Sequence, residues 1–336
     1  EGPIGNLEVW EAGHPVPDDD TFAATSRALE LTQDLKPEDR VLFLLSGGGS
    51  ALFEKPIIST EELQESTRQL LACGADITEM NTIRKHLSTV KGGRFALHCA
   101  PAQVFAVVLS DIIGDPLDMI ASGPAYPDSS TSAQAEAIVS QYGIRLSAEA
   151  AAVLAQETPK ALDNVETQIT GSVRELCRAA ADVCRQLGYE PVVLTDSLTC
   201  QAREAGSFLA SIARYHQDSG RSLAFLAGGE TVVKLTGAGK GGRNQEIALA
   251  AAEGIAGLRD TAVFSVGSDG TDVPTDADGG FVTGETRGQL EEKGVSIFQV
   301  LQDNDAYNAL AACDGLIVTG ATGTNVNDVA IALIRR

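Results

Sequence analysis

Residues 41–52 read VLFLLSGGGSAL, an apolar run that passes into a glycine-rich turn and then into the first residues of a helix. A continuous apolar run, as opposed to an alternating one, is typical of a strand buried on both faces, as in a parallel sheet. Similar runs, each followed by a cluster of Gly, Ser, Asp or Thr, lie at 104–115, 191–197, 223–231, 262–272 and 315–325.

Helical stretches separate these runs. The sequence predicts helices at 21–35, 60–75, 131–142, 147–156, 173–187, 199–216, 244–257 and 285–293. Alternating strands and helices indicate an α/β fold with a largely parallel sheet, in which ligands bind outside the carboxyl ends of the strands. The polar stretch 157–170 predicts a boundary between an N-terminal domain, 1–162, and a C-terminal domain, 163–336.

Composition excludes several classes of protein. The chain has 336 residues and a formal net charge of −21, which argues against nonspecific binding to nucleic acid or to an anionic membrane. It contains no apolar run of about 18 residues and no signal-peptide pattern near residue 1, so we expect a cytoplasmic protein. Its six cysteines form no C-x-x-C pair, and its four histidines lack zinc-ligand spacing, so no zinc-type site is expected.

One segment is basic in this acidic chain. No Asp or Glu lies between Glu79 and Asp111, and the segment NTIRKHLSTVKGGR (81–94) supplies Arg84, Lys91 and Arg94. Guanidinium groups bind carboxylates and phosphates bidentately, so this segment indicates an anionic ligand. The alternative is a solvated helix face followed by a loop.

The turn after the first strand is a second candidate anion site. Glycine allows positive φ and close approach of backbone amides to a ligand, and serine adds hydroxyl donors. The alternative is a plain strand-to-helix connection. The candidate residues are Ser46, Gly47, Gly48, Gly49 and Ser50.

Two carboxylates follow predicted strands. Asp111 in SDIIGDP and Glu230 in GGE are placed to orient a metal ion or a substrate hydroxyl, and we predict both as candidate metal ligands. The alternative for Asp111 is capping of its loop.

The loop TGAGKGGRNQE (236–246) contains Gly237, Gly239 and Gly242 in G-x-G-x-x-G spacing, with Asp260 about twenty residues on, which imitates a dinucleotide fingerprint. Lys240 and Arg243 within the loop suit separate phosphate groups better. The motif G-x-x-x-x-G-K-[ST] is absent, which excludes the P-loop kinases. The polar loops 267–279 and 319–328 could hold magnesium or ribose hydroxyls.

Eight segments in this order resemble the class II glycerate 2-kinases, which end in a domain called MOFRL: HPVPD, SGGGSAL, NTIRKHLSTVKGGR, SDIIGD, ASGP, GGET, GGRNQE and TGTNVND. The resemblance implies a Rossmann-like N-terminal domain with a largely parallel sheet and a smaller mixed α/β domain. It also implies transfer of a phosphoryl group from ATP, with a divalent cation such as Mg²⁺, to D-glycerate, giving 2-phosphoglycerate. Some relatives have carried the label hydroxypyruvate reductase.

The resemblance has two departures. Family members usually begin with a βα unit containing a Gly-Lys-Ala motif, whose lysine is thought to act in phosphoryl transfer, and this chain starts after that point. Ser268 and Val273 also replace a threonine and a glycine of the family's T-D-G-x-D-G-P-T loop.

The site predicted from the residues and the resemblance has three parts. Arg243, which matches an arginine important in the family, Asp111 and Glu230 are the catalytic candidates. Glycerate is expected near Arg84, Lys91, Arg94 and the SGGGS turn. The nucleotide-binding candidates are Gly239, Lys240, Gly241, Asn244, Asp269 and Asn325.

The expected partners are glycerate and ATP, without nucleic acid or membrane, and a homodimer is left open. Two other functions stay open at this point. One is an NAD(P)H-dependent hydroxypyruvate reductase that uses the G-x-G-x-x-G loop. The other is a non-catalytic protein that binds a carboxylate or a nucleotide.

Overall fold

A computed structural model describes residues 5–14 and 16–336 of the chain. The chain divides into two compact units: the first runs to Leu109 and resumes at Asp115–Thr170, and the second comprises Ser110–Gly114 and Gly171–Arg336. This division falls later than the predicted boundary at 162, because the strand β3 (Val165–Gly171), inside the polar stretch, joins the sheet of the first unit. The units have about equal length, whereas the resemblance implied a smaller second domain.

The sheet of the first unit has the strand order β1-β2-β3, with β1 at Arg40–Leu45 and β2 at Gln103–Leu109. β1 and β2 are parallel and in register from Arg40↔Gln103 to Leu45↔Val108, so both strands end at the same edge. The prediction of a strand buried on both faces is wrong for β1: Leu42 and Leu44 are 65% and 68% exposed, and Phe105, the partner of Leu42 on β2, is 39% exposed, because no described residue covers this face of the sheet.

Five helices of the first unit, α1, α3, α4, α6 and α7, begin at a residue whose side chain caps the helix. Asp18 and Asp76 each form a capping box at the start of α1 and α4. The helix α4 was not predicted because its buried face is largely polar and includes Asn81 and Lys85. The helices are α1 (Asp19–Leu31), α2 (Gly49–Leu52), α3 (Thr60–Cys73), α4 (Ile77–Leu87), α5 (Arg94–His98), α6 (Ser132–Tyr142) and α7 (Ala148–Leu154), with a 3₁₀ turn at Ile120–Ser122.

The sheet of the second unit is mixed, with the order β4-β5-β9-β6-β7-β8. β4 and β5 are parallel, whereas β9 is antiparallel to both of its neighbours, β5 and β6. β9 was not predicted, since no glycine cluster follows it. The strands are β4 (Glu190–Leu198), β5 (Leu223–Gly229), β6 (Thr261–Gly267), β7 (Gly279–Thr283), β8 (Leu316–Ile317) and β9 (Asp328–Ile334). The predicted α/β class with a mixed second sheet is confirmed.

The helix α10 (Arg243–Ile255) is buried along most of its length and packs closely on α9 (Ala202–Tyr215). A Cβ atom on Gly206 would lie 2.1 Å from the carbonyl oxygen of Ile247, so the two helices approach as only glycine allows. This contact fixes the position of α10 and of its first residue, Arg243. The other helices of this unit are α8 (Val173–Gln186), α11 (Thr286–Glu292), α12 (Ile297–Asp303) and α13 (Ala306–Ala312). Within residues 5–14 and 16–336, no helix has both the length and the apolar character that a bilayer span requires.

Candidate functional site

The SGGGS turn follows β1, and four of its backbone amides have no hydrogen-bond acceptor among the described residues. Gly48 is left-handed, with φ 82°, and precedes the short helix α2. Among the described residues, no acceptor bonds the amides of Gly47, Gly48, Gly49 or Ser50. Unbonded amides around a left-handed glycine can bind an anion. The predicted anion cradle therefore has a compatible geometry and stays a prediction.

His14 lies beside this turn and was missed as a candidate. A Cβ atom on Gly48 would be 3.5 Å from His14 Cδ2 and 3.6 Å from its Nε2. The signal that could have found it is the segment HPVPD, one of the eight segments that carry the family resemblance. Pro15 of that segment lies outside the described residues.

Arg84 lies on α4 in the first unit. Its side chain is partly buried, and no hydrogen bond or ion pair engages it within the described part of the chain. Burial lowers the pKa of the guanidinium, and the negative charge of Glu54 opposes that shift. A partly desolvated guanidinium with unused donors favours an anion as partner.

A strained turn packs against the SGGGS turn. Ala121, Ser122 and Gly123 are all left-handed, with φ values of 50°, 62° and 64°. Ser122 Oγ lies 3.5 Å from Ser50 Oγ and donates to Asn81 Oδ1 at 3.1 Å. Non-glycine residues in this region cost about 1–3 kcal/mol each and concentrate at functional sites. Two hydroxyl groups are thus held side by side at the turn.

Lys91 does not have the direct role predicted for it. Its ammonium is fully buried and donates to the carbonyl oxygens of Ser50 (2.9 Å), Phe53 (3.1 Å) and Ala121 (3.4 Å). Glu54 Oε2 lies 3.5 Å away. Burial lowers the pKa of Lys91, with Glu54 opposing. The three donors are used inside the unit, so contact with a substrate carboxylate is ruled out.

Arg94 also has a structural role in place of the predicted one. Its Nη1 donates to the carbonyl oxygens of Lys85 (2.5 Å), Ser88 (2.9 Å) and His86 (3.3 Å) at the end of α4. A cation on the terminal carbonyls stabilises a helix C-terminus. Arg94 therefore caps α4.

Asp111 is partly buried, and no hydrogen bond or ion pair reaches its carboxylate from any described residue. This arrangement does not favour the alternative role of Asp111, which is to cap its own loop. Ser110 bonds within that loop instead, since its Oγ accepts from the amide of Ile112 at 3.4 Å.

In the second unit, Arg243 and Glu230 are brought together. Arg243 Nε and Nη2 donate to the two oxygens of Asp328 at 2.5 and 3.2 Å, and Nη1 lies 3.2 Å from Glu230 Oε1. Burial is the largest single influence and lowers the pKa of Arg243. The hydrogen bond and charge of Asp328, together with the charges of Glu230 and Asp272, outweigh it, so the pKa is raised on balance. The Arg243 side chain is still 35% exposed, so this oriented guanidinium can meet a ligand.

The glycine-rich loop after β5 differs from the predicted cradle. The amide of Gly239 donates to the carbonyl of Asp303 at 2.7 Å, and that of Lys240 donates to Asp305 Oδ1 at 2.9 Å. A Cβ atom on Gly239 would lie 2.5 Å from the Cβ of Asp305, so glycine serves close packing here. Gly241 likewise packs on Ala306. The predicted phosphate binding by the Gly239 amide is therefore wrong, whereas that by Gly241 stays a prediction.

The side chain of Lys240 remains accessible. Its Nζ lies 3.7 Å from the ring centroid of Tyr307 and 3.6 Å from Asp276 Oδ1, and the side chain is 45% exposed. An exposed ammonium held by weak contacts can still bind a phosphate.

Three predicted nucleotide ligands bond within their own unit. Asn244 is buried and accepts from Ser265 Oγ at 2.5 Å, so its predicted contact with a nucleotide is wrong. Asp269 accepts from the amide of Thr271 at 3.0 Å, and Asn325 accepts from the amide of Asn327 at 3.3 Å. The second oxygen of Asp269 accepts from Thr271 Oγ1 at 3.2 Å. Asx turns of this kind shape loops.

Asp272 and Asp328 are the residues that the site prediction missed. Asp272 is buried and accepts from the amide of Gln245 at 2.9 Å in the first turn of α10. Burial raises its pKa to about 7, and the charge of Asp328 adds to that rise. The polar loops at 267–279 and 319–328 were the available signal, but the sequence could not say which carboxylate faces Arg243.

Comparison with known proteins identifies the family. The chain matches a domain of unknown function, DUF4147, over residues 1–155 and the MOFRL family over 223–328. A D-glycerate 2-kinase of Thermotoga maritima is 52% identical over 99% of this chain and 82% of its own length. A crystal structure of glycerate kinase from the same organism has a TM-score of 0.96 and covers 100% of this chain and 82% of that one.

A protein of Agrobacterium vitis, 39% identical over 99% of this chain and 78% of its own length, carries hydroxypyruvate reductase as a provisional name. The two domain matches, the 52% identity and the shared fold agree with one another. The chain therefore belongs to the class II glycerate 2-kinase family with a C-terminal MOFRL domain, and it is a kinase.

Proposed function

We propose that this kinase transfers a phosphoryl group from ATP to the 2-hydroxyl of D-glycerate and forms 2-phosphoglycerate. The observation that carries the proposal is Arg84, a partly buried guanidinium with no partner among the described residues. It shares its unit with the unbonded amides that follow β1. Together these donors suit a small carboxylate, and relatives named glycerate 2-kinase support this substrate.

On the acceptor side, Arg84 binds the glycerate carboxylate together with the amides of the SGGGS turn. The hydroxyls of Ser50 and Ser122, 3.5 Å apart, are placed to bond the substrate hydroxyls. A small acid bound at two ends is held in one orientation, which lowers the entropy cost of the reaction.

On the donor side, Arg243 neutralises charge on the transferring phosphoryl group, with Lys240 as a second cation. Asp328 and Glu230 hold the guanidinium at 2.5 and 3.2 Å, so it need not reorganise during the reaction. In the transfer, the 2-hydroxyl oxygen forms a bond to the γ-phosphorus, the bond to the β–γ bridging oxygen breaks, and the hydroxyl proton leaves. Such a reaction depends on positioning and charge neutralisation, and no covalent nucleophile is required.

The residues also suit a magnesium ion brought by the nucleotide. Mg²⁺ is usually held by one or two carboxylates and by substrate phosphates. In the described part of the chain no group of three or more His, Cys, Asp or Glu side chains could hold a metal by itself. Asp111, whose carboxylate has no partner among the described residues, and Glu230 would be the protein ligands. The bound ion would neutralise phosphate charge.

A coupled assay with D-glycerate and ATP tests the proposal. An enolase-linked readout without phosphoglycerate mutase reports 2-phosphoglycerate, whereas a signal that appears only when mutase is added indicates 3-phosphoglycerate. We expect a signal without mutase. Dependence on mutase, or ATP consumption that is independent of glycerate, would refute the assignment.

A hydroxypyruvate reductase is the second candidate, and the provisional name of the Agrobacterium vitis relative favours it. A dinucleotide fingerprint needs free backbone amides and a glycine turn open to a pyrophosphate. The amides of Gly239 and Lys240 bond to Asp303 and Asp305, which weakens that reading. Incubation with hydroxypyruvate and NADH separates the two functions, since consumption of NADH would support the reductase.

A further inference from the structure

Lys91 is the buried cation that the proposed reaction does not use directly. It is 0% exposed, and its side chain reaches two segments that are distant in sequence, bonding the carbonyls of Ser50 and Phe53 and that of Ala121. Placing an ammonium in the interior costs several kcal/mol unless it is paired and hydrogen-bonded. A buried lysine that only filled space would be replaceable by an apolar side chain.

The two residues after Lys91 bond the same strained turn. The amide of Gly92 donates to the carbonyl of Ser122 at 3.0 Å, and that of Gly93 donates to the carbonyl of Gly123 at 2.7 Å. Both glycines are left-handed, with φ values of 58° and 83°. The backbone amides of Gly92 and Gly93 therefore hold the 121–123 turn. The side chain of Lys91 holds both this turn and the SGGGS turn.

The spacing between the two turns is tight. A Cβ atom on Gly49 would lie 2.7 Å from the Cβ of Ala121, so the SGGGS turn and the 121–123 turn are in direct contact. The hydroxyls of Ser50 and Ser122 belong to these two turns, and their separation depends on that contact. A shift of one turn would separate the hydroxyls and move the amides of residues 47–50.

The geometry points to Lys91 as a positioning residue that sets the SGGGS turn against the left-handed 121–123 turn, and so shapes the site for the acceptor substrate. This inference rests on the proposed function, because it assigns those turns to glycerate. Lys91 acts through its three carbonyl acceptors and touches no substrate. Its loss should therefore weaken glycerate binding and leave the affinity for ATP nearly unchanged.

The chain offers a matched control. Lys85 is also buried, at 1% exposure, and lies in the same unit, but it pairs with Asp128 at 2.6 Å and with Asp118 at 3.5 Å. The test compares Lys91→Met/Glu54→Gln with Lys85→Met/Asp128→Asn. Each double variant removes a buried lysine together with the charge of its buried acidic partner. In the Lys85 variant, Asp118 keeps the hydrogen bond that it accepts from Ser129 Oγ.

For Lys91→Met/Glu54→Gln we expect the KM for D-glycerate to rise on the order of 10–100-fold, because misplacement of binding groups by about 1 Å can cost about 100-fold. The KM for ATP should stay within about threefold of the wild-type value. The Lys85 double variant should keep both KM values within about threefold, even if its Tm falls. Equal rises in both KM values, or no rise for glycerate, would overturn the inference.

The single variant Glu54→Gln distinguishes the loss of Lys91 from the loss of the negative charge that Glu54 places near Arg84. We expect it to raise the KM for glycerate by much less than the double variant does, since the three carbonyl contacts remain. An effect equal to that of the double variant would transfer the role to Glu54 and refute the inference.

Hydrogen exchange gives a readout that needs no activity. The amides of Ala51, Leu52 and Phe53 bond to Gly48 and Gly49, and those of Gly92 and Gly93 bond to the strained turn. These amides should exchange faster in the Lys91 double variant and at the wild-type rate in the Lys85 one. If the wild type did not phosphorylate glycerate, the proposed function would fail, whereas unchanged exchange would refute the positioning role itself.

Discussion

Gly242 and Asp272 meet at the start of α10, where a Cβ atom on Gly242 would lie 2.2 Å from Asp272 Oδ1. The carboxylate fits there only because residue 242 has no side chain. Asp272 Oδ2 accepts from the amide of Gln245 at 2.9 Å, which ties the carboxylate to the first turn of the helix. Arg243 is the next residue after Gly242, so this contact sets where its side chain begins.

Gly242→Ala should therefore destabilise the protein by about 1–3 kcal/mol and lower its turnover, because the added methyl displaces Asp272 and the start of α10. Urea unfolding and the coupled assay measure the two effects. Gly288→Ala is the control: a Cβ there meets nothing within 4 Å, and alanine favours the helix α11. An unfolding free energy equal to that of the wild type would contradict the contact.

Asp272 should also make stability depend on pH. Its pKa is raised from 3.8 to about 7, mainly by burial, so the folded state keeps a proton that the unfolded state releases. The contribution of Asp272 to the free energy of unfolding must then fall as pH rises from about 4 to about 7. Asp272→Asn cannot lose this proton, and its stability relative to wild type should improve from about pH 5 to about pH 8 in urea titrations.

Asp276→Asn provides the contrast, since Asp276 is exposed and its pKa is lowered, chiefly by a hydrogen bond with Tyr307. It should not reproduce the relative gain at high pH. If Asp272→Asn and wild type changed in parallel across this range, the raised pKa would be wrong.

Arg243→Ala should lower kcat on the order of 10²–10⁵-fold, because the variant loses the guanidinium that neutralises the transferring group. Steady-state kinetics with saturating glycerate and ATP measures it. Arg287→Ala removes an arginine that pairs with Glu253 and Glu291 on the surface and should change kcat little. Turnover of Arg243→Ala within about threefold of wild type would remove Arg243 from the mechanism.

Arg84→Ala should raise the KM for glycerate on the order of 10–100-fold, the value of one charge-assisted contact, with a smaller change in the KM for ATP. The comparison is Arg68→Ala, an exposed arginine whose partner Glu65 lies one helical turn away. Because Arg84 has no partner among the described residues, its loss should cost little stability, and Tm reports this. A normal KM for glycerate would show that the carboxylate binds elsewhere.

Much of the fold could be read from the sequence. Every predicted helix is present, since those helices have an apolar face or clear caps. The strands β3, β7 and β9 were missed for separate reasons: β3 alternates within a polar stretch, β7 is short and begins with two glycines, and no turn residues follow β9 in the way that they follow the other strands. The antiparallel insertion of β9 between β5 and β6 is a pairing of distant segments, and local pattern does not predict such a pairing.

For the site, the sequence singled out basic and glycine-rich segments as candidates but could not rank their members. Arg84, Lys91 and Arg94 look equivalent in NTIRKHLSTVKGGR. In the structure, Lys91 and Arg94 donate to backbone carbonyls, whereas the guanidinium of Arg84 has no hydrogen-bond partner among the described residues.

The sequence by itself determined the family, the α/β class and the kinds of group that could bind an anion, because ordered motifs and local periodicity are written along the chain. Only the tertiary structure decided which of those groups are free. Whether a cation or an amide can meet a ligand depends on burial and on acceptors far away in sequence. Asp305 Oδ1 accepts a hydrogen bond from the amide of Lys240, and the carbonyl oxygen of Ala121 accepts one from the ammonium of Lys91.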